Sequence, residues 1–238
     1  MKKFKPIVLC ALILSFLSTI GCSSYIDFEN GLRGGNNNED VGVTEEVIDI
    51  TEEYEIYKIG DKVLFKLEYS ADPDDDESME YTIDDVKTYD SLEGLNINKD
   101  NMLASAEELL DENGELKTGY KLILADVTIK NIDMNSMSDN ENEMNISSLG
   151  LIYQVKKDAD DEERNKAVSF YSQILYFSDP AANNRYYNYI LPKGETKSVK
   201  VGWIINSEEF DFSKIYACIG GGDVSSQFRK FIVLNLQS

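Results

Sequence analysis

The chain of 238 residues contains no histidine. That absence removes Ser-His-Asp and Cys-His catalysis, histidine metal ligation and imidazole pH switching together. No serine has lysine three positions downstream, so Ser-x-x-Lys chemistry is missing as well. Cysteine is nearly as scarce. Cys10 lies within an apolar leader and Cys22 at its end, which leaves Cys218 without a partner for an intramolecular disulfide. The fold therefore has to hold by its core, and 42% hydrophobic and 11% aromatic residues are enough to build one. Positive charge is the third shortage, with 23 Lys+Arg against 44 Asp+Glu and a formal net charge of −21. No basic stripe is visible, which argues against nucleic acid or an anionic lipid surface as a partner held by charge.

What is present begins with the leader. Lys2, Lys3 and Lys5 precede an apolar run, Ile7 to Ile20, interrupted by small polar residues such as Ser15, Ser18 and Thr19 and followed by Gly21-Cys22. The run is shorter than the about 20 apolar residues of a comfortable membrane span, and its layout is that of a secretory signal. A small residue directly before a cysteine resembles the lipobox of bacterial lipoproteins. The resemblance places Gly21 at position −1 and makes Cys22 the residue that takes a diacylglyceryl group and becomes the new N-terminus. Thr19 stands at −3, where that family usually has leucine. The resemblance implies a signal peptide over 1–21 and a protein lipid-anchored on the outer face of the cell membrane. Each buried methylene contributes about 0.8 kcal/mol, so two acyl chains hold stably where one is marginal. Loss of the leader takes three lysines, leaving 20 Lys+Arg against 44 Asp+Glu, a net charge of −24.

Residues 22–59 read as an acidic, Gly/Asn-rich tether with too little apolar content to fold alone, although 41–59 has scattered apolar residues suited to a first edge strand. Treated as a flexible coil, a tether of about 35 residues reaches roughly 30–35 Å. The folded part is expected over 60–238. Val63, Phe65 and Leu67 alternate as a half-buried strand, and Met79 to Tyr89 forms another with a bulge near Asp84-Asp85. The spacing of Leu103, Ala106 and Leu110 predicts a helix over 101–112, capped by Asp100 or Asn101 and ended by Asn113-Gly114. Gly119 to Ile132 is the clearest strand, with Ile123, Ala125, Val127 and Ile129 on one face and Leu122 and Leu124 thickening its first half; this belongs in a sheet centre. Further strands are predicted at 146–155, 166–177, 186–191, 196–205, 213–219 and 228–236, separated by turn signals. Many short strands with one helix argue an all-β sandwich.

Val127-Thr128-Ile129-Lys130-Asn131, then a variable loop, then Leu191-Pro192-Lys193-Gly194-Glu195-Thr196 leading into Val199-Lys200-Val201-Gly202-Trp203, resembles the immunoglobulin-like (telokin-like) domains of bacterial surface lipoproteins. The resemblance covers about 115–236. It implies an extracellular β-sandwich and supplies no catalytic residues, since these domains are largely of unknown function.

Several constellations remain. Asp72-Asp74-Asp75-Asp76-Glu77, Asp158-Asp160-Asp161-Glu162-Glu163 and Asp139-Glu141-Glu143 offer hard oxygen ligands for calcium, but none matches the EF-hand loop and solvated loops are the default expectation. Gly220-Gly221-Gly222 leads into another strand, which suits a hairpin turn better than a phosphate loop. Tyr186, Tyr187 and Tyr189 form a possible partner-binding patch, with alternation putting at least one of them in the core. Cys218 reads as a structural thiol. The functional expectation is a non-enzymatic anchored module without a cofactor, binding a protein or glycan of the envelope; the alternative is an envelope hydrolase working with carboxylates or a metal.

Overall fold

The structure, a computed structural model, describes residue 50 and residues 54–66, 77–135, 142–156, 158–170, 173–181, 188–220 and 229–236. All of them lie in one compact unit, 47–238. A four-stranded sheet runs β1 (Ile56–Lys58), β11 (Lys230–Val233), β10 (Ile215–Ile219), β6 (Leu149–Tyr153). A five-stranded sheet runs β2 (Val63–Lys66), β3 (Ser78–Tyr89), β4 (Tyr120–Asn131), β9 (Thr196–Asn206), β7 (Tyr176–Phe177). A third pairing joins β5 (Glu143–Asn145) to β8 (Asn188–Ile190). Every pairing is antiparallel except that of β1 with β11.

Alternation explains how the two main sheets meet. Val63 and Phe65, Met79 to Ile83, Ile123 to Ile129 and Val199 to Ile205 send every second side chain inward. They pack against Leu149, Leu151, Tyr153, Ile215, Ala217, Ile219 and Ile232 of the other sheet. The fold is therefore an all-β sandwich with a shared core, and its largest member, Trp203, is fully buried. Full burial of each such side chain contributes about 1.5–3 kcal/mol. The anticipated bulge is there: the β3–β4 register steps from Ile83 opposite Val127 to Asp85 opposite Asp126, leaving Asp84 unopposed.

Two local expectations are corrected. Residues 101–112 do not form a continuous helix. Short 3-10 turns cover Lys99–Asn101 and Ala104–Leu109, and Leu103 and Leu110 are extended. The first turn is capped by Asn98, not by Asp100 or Asn101. The extended breaks let Met102 bridge to Tyr176 and Leu110 to Leu116, which lays the segment flat on the sheet.

Residues 166–177 are not one strand. Asp161–Ser169 is an α-helix, α1, and only Tyr176–Phe177 is strand. Asp160 caps α1 by accepting from Glu163 N–H at 2.9 Å, and Glu162 pairs with Lys166 one turn on at 3.4 Å. Three acidic residues in the first turn complement the helix dipole. Among the described residues no helix is long and apolar enough to cross a membrane.

Candidate functional site

The outer face of the five-stranded sheet changes character along its length. In the first half of β4, Leu122 and Leu124 point outward, and so does Ile204 of β9. These residues and Tyr176 are covered by Leu92, Ile97, Met102, Ala106 and Leu110, giving the sandwich a partial third layer built from the excursion between β3 and β4. In the second half the outward positions turn polar. Asp126, Thr128 and Lys130 of β4 stand opposite Lys200, Ser198 and Thr196 of β9.

A groove of about 560 Å³ lies where the covered and the open half meet. Its floor carries Asp84, Asp126, Ser198 and Lys200; Ile97, Asn98 and Tyr176 form the wall on the covered side. The bulge turns Asp84 onto this face, where Thr128 Oγ1 donates to its Oδ2 at 2.6 Å and lies 3.1 Å from Ser198 Oγ. One step along, the Lys200 ammonium pairs with Asp126. The Lys200 backbone N–H donates to Ser178 Oγ at 2.8 Å, and Asn101 Nδ2 donates to the Ser178 carbonyl at 3.0 Å, which ties the wall to the sheet. Burial raises the pKa of the Tyr176 hydroxyl; a backbone hydrogen bond from Asn98 and the charge of Lys200 act against it. The hydroxyl is therefore protonated throughout the physiological range and available as a donor.

The residues singled out in the sequence fall elsewhere. Gly21, Cys22, Tyr186 and Tyr187 lie outside the described residues, as do Asp72 to Asp76, Asp139 and Glu141. Tyr189 does not belong to a surface patch. Pairing of β8 with β5 turns it inward, where it is wholly buried with its ring 5.8 Å from Phe177 and its hydroxyl 4.0 Å from Met79 Sδ. Glu143 is buried as well and accepts from Asn188 Nδ2 at 2.7 Å. Asp160 serves α1 as its cap. Among the described residues no three His, Cys, Asp or Glu side chains converge as metal ligands. Gly220 ends β10 with φ +92° and donates to the Ser148 carbonyl at 2.9 Å. Cys218 is buried, and burial pushes its thiol up to about 11.

The groove residues were not anticipated as a site. The signal for them was the switch from Leu122 and Leu124 to Asp126, Thr128 and Lys130 at alternate positions of one strand, which marks where a covered face becomes open.

The family described as "Domain of unknown function (DUF5027)" matches residues 36–236. The chain belongs to that family. No curated protein matches it. Among solved structures, the yjhA protein from Bacillus subtilis is 11% identical with a TM-score of 0.37, over 76% of this chain and 99% of that one. A conserved hypothetical protein from Bacillus anthracis is 17% identical with a TM-score of 0.28, over 67% and 92%. Likeness at this level carries no argument about function. The family match begins at residue 36, so the leader and Cys22 lie outside the matched region.

Proposed function

We propose that this chain is a lipid-anchored module on the outer face of the cell membrane, held by a diacylglyceryl group on Cys22, which binds a glycan or protein of the envelope through the groove of the five-stranded sheet. The anchor rests on the sequence: three lysines, a short apolar run and Gly21-Cys22. An immunoglobulin-like reading of the sandwich is supported by strand order. Taken in chain order as A to G, β3, β4, β6, β7, β9, β10 and β11 pair as A-B-E-D and C-F-G, the constant-type arrangement.

The observation that carries the binding reading is the groove itself, a shallow, open strip whose apolar surface from Ile97, Val127 and Tyr176 is set with the polar groups of Asp84, Asp126 and Lys200. Hydroxyls, amides, one ammonium and two carboxylates suit a polyhydroxylated ligand. The hydrolase alternative asks for a free acid and base. Asp84 is engaged by Thr128 and Asp126 by Lys200, which favours binding over catalysis.

Two experiments test the proposal. Cys22→Ala should move the protein from the membrane to the soluble fraction, and mass spectrometry of the wild-type N-terminal peptide should show the lipid. Unchanged fractionation with no lipid mass refutes the anchor. Amide resonances of Asp84, Ser198 and Lys200 should shift on titration with envelope glycan fragments in wild type, and not in Lys200→Ala. The Lys200–Asp126 pair is about half exposed, so its loss should change stability little and the variant should stay folded.

A further inference from the structure

The outer face of the four-stranded sheet carries an apolar row of Ile152, Tyr216, Cys218 and Phe231. The row is covered by the chain's own residues from just before the sandwich. Ile50 is 1% exposed and packs on Cys218 and Phe231. Tyr54 sets its ring edge-to-face on Phe231, with centroids 5.1 Å apart and planes at 89°. β1 then pairs in parallel with β11, with Ile56 opposite Phe231, and Lys230 Nζ stands 5.6 Å over the Tyr57 ring and 3.4 Å from Glu55 Oε2.

This attachment differs in kind from the rest of the fold. The β1–β11 register spans three residues, whereas that of β4 with β9 runs from Tyr120 to Lys130. β1 is an edge strand, so its departure leaves β11-β10-β6 paired and takes from the shared core only the half-buried Tyr57 packed against its margin. Ile56 is 43% exposed, and the Glu55–Lys230 pair is open to solvent and therefore weak. Beyond β1 the chain crosses to the other sheet through a turn. There Gly60 has φ +89°, Asp61 N–H donates to the Lys58 carbonyl at 3.0 Å, and Gly60 N–H donates to the Ile83 carbonyl at 2.8 Å. That turn ties the chain to β3 independently of β1, so a release of β1 stops there.

We propose that Tyr54–Lys58 is a detachable edge strap that fills a strand-addition site on β11 in cis and opens while the sandwich stays folded. Opening bares the β11 edge and the row around Phe231, the surface an extended segment would pair with. Chain connectivity alone sets the strap between residues 1–49 and the sandwich, so a pull from the N-terminal side reaches it first. The proposal needs neither the groove nor the lipid.

Cys218 is the natural reporter, because it is buried in the cluster with Ile50 and Phe231 against which Tyr54 of the strap packs. In residues 22–238 carrying Cys22→Ser it is the sole thiol, and Trp203, the sole tryptophan, reports global unfolding from the opposite sheet. The measurement is the rate of Cys218 labelling by an aromatic disulfide reagent across a urea series. The expected denaturant slope of the opening that admits the reagent is less than half that of global unfolding followed by Trp203 fluorescence. Tyr54→Ala should speed labelling at least tenfold beyond any shift of the Trp203 transition. Asp160→Ala, at the distant α1 cap, should change labelling only in step with global stability. Labelling with the full global slope, or a Tyr54→Ala effect no larger than its effect on the Trp203 transition, overturns the proposal.

Discussion

The side-chain amide of Asn131 donates to the carbonyl of Leu191 at 3.0 Å, tying the end of β4 to a residue 60 positions further along the chain. The same Nδ2 lies 3.1 Å from the Met134 carbonyl, and Oδ1 accepts the Met134 N–H at 2.8 Å. Backbone bonds to Glu195 and from Gly194 complete the junction with the turn before β9. Asn131 is fully buried, so the groups it serves have no water to fall back on. Asn131→Ala should lower stability by about 2–4 kcal/mol, since a lost buried bond leaves its partner unsatisfied at about 1–3 kcal/mol. Asn131→Asp should not rescue it, because a carboxylate cannot donate to the two carbonyls. Urea midpoints check both, and an alanine cost under about 1 kcal/mol would falsify this role.

Gly202 sits on β9 between Leu124 of β4 and Tyr176 of β7, on the covered side of the sheet. A Cβ built there would lie 3.1 Å from Leu122 Cδ1 and 3.1 Å from Tyr176 Cβ. One neighbour would have to give, and Tyr176 is held on both sides by strand and wall. Gly202→Ala should cost about 1–3 kcal/mol as an overpacking substitution, and Gly202→Val more. Because the strain falls under the third layer, hydrogen exchange should quicken first at Met102 and Leu103, while the amides of Tyr153 and Ala217 keep their protection. Uniform loss of protection across both sheets would contradict that placement.

Much of the sandwich was legible because alternation is a local signal. Ile123 to Ile129 and Val199 to Trp203 announced an inner face, and Val86, out of step with Tyr81 and Ile83, announced the bulge near Asp84-Asp85. The extra Leu122 and Leu124 were legible as an anomaly. Their reason was not, because what covers them comes from 92–116, whose helical spacing is used in short 3-10 turns broken at Leu103 and Leu110. Residues 166–177 misled for a different reason. Their apolar content, Ala167, Val168 and Phe170, suits a strand, but the Asp160 cap and the acidic first turn act upstream of it and start a helix there. The groove depended on which strands became neighbours, and a single chain does not display that order.

The cap on α1 gives the third test. Asp160 accepts from Glu163 N–H at 2.9 Å, and the Arg164 Nε donates to the Ala159 carbonyl at 2.9 Å, so the first turn is closed from both sides. Asp160→Ala should cost about 1 kcal/mol, and Asp160→Ser much less, because a hydroxyl can accept the same bond. The carboxylate that caps the helix is one that a calcium site over 158–163 would need. Calorimetric titration with millimolar calcium should accordingly show no heat that depends on Asp160. A calcium heat lost in Asp160→Ala would restore the ion-binding reading of that cluster.

Alkaline pH should weaken the fold through Cys218. Burial raises its thiol from an ordinary value of 9.0 to about 11; the charge of Arg229 acts in the opposite direction. Between those values the unfolded chain releases a proton that the native state keeps, so the unfolded state binds fewer protons and stability falls as pH rises. The full effect is present only above about pH 11 and amounts to roughly 3 kcal/mol at 1.36 kcal/mol per pKa unit. Below about pH 8 both states hold the proton and Cys218 contributes no slope. Tyr81 and Tyr189, raised chiefly by burial, extend the same trend above pH 10. Cys218→Ala removes the first component and leaves the tyrosines. Urea unfolding free energies measured at pH 7.5 and pH 10 should therefore differ less in Cys218→Ala than in the parent, by about 1 kcal/mol. Equal differences in the two proteins would mean that the native thiol ionises as freely as the unfolded one, and that the face under Ile50 and Tyr54 is already open to water at neutral pH.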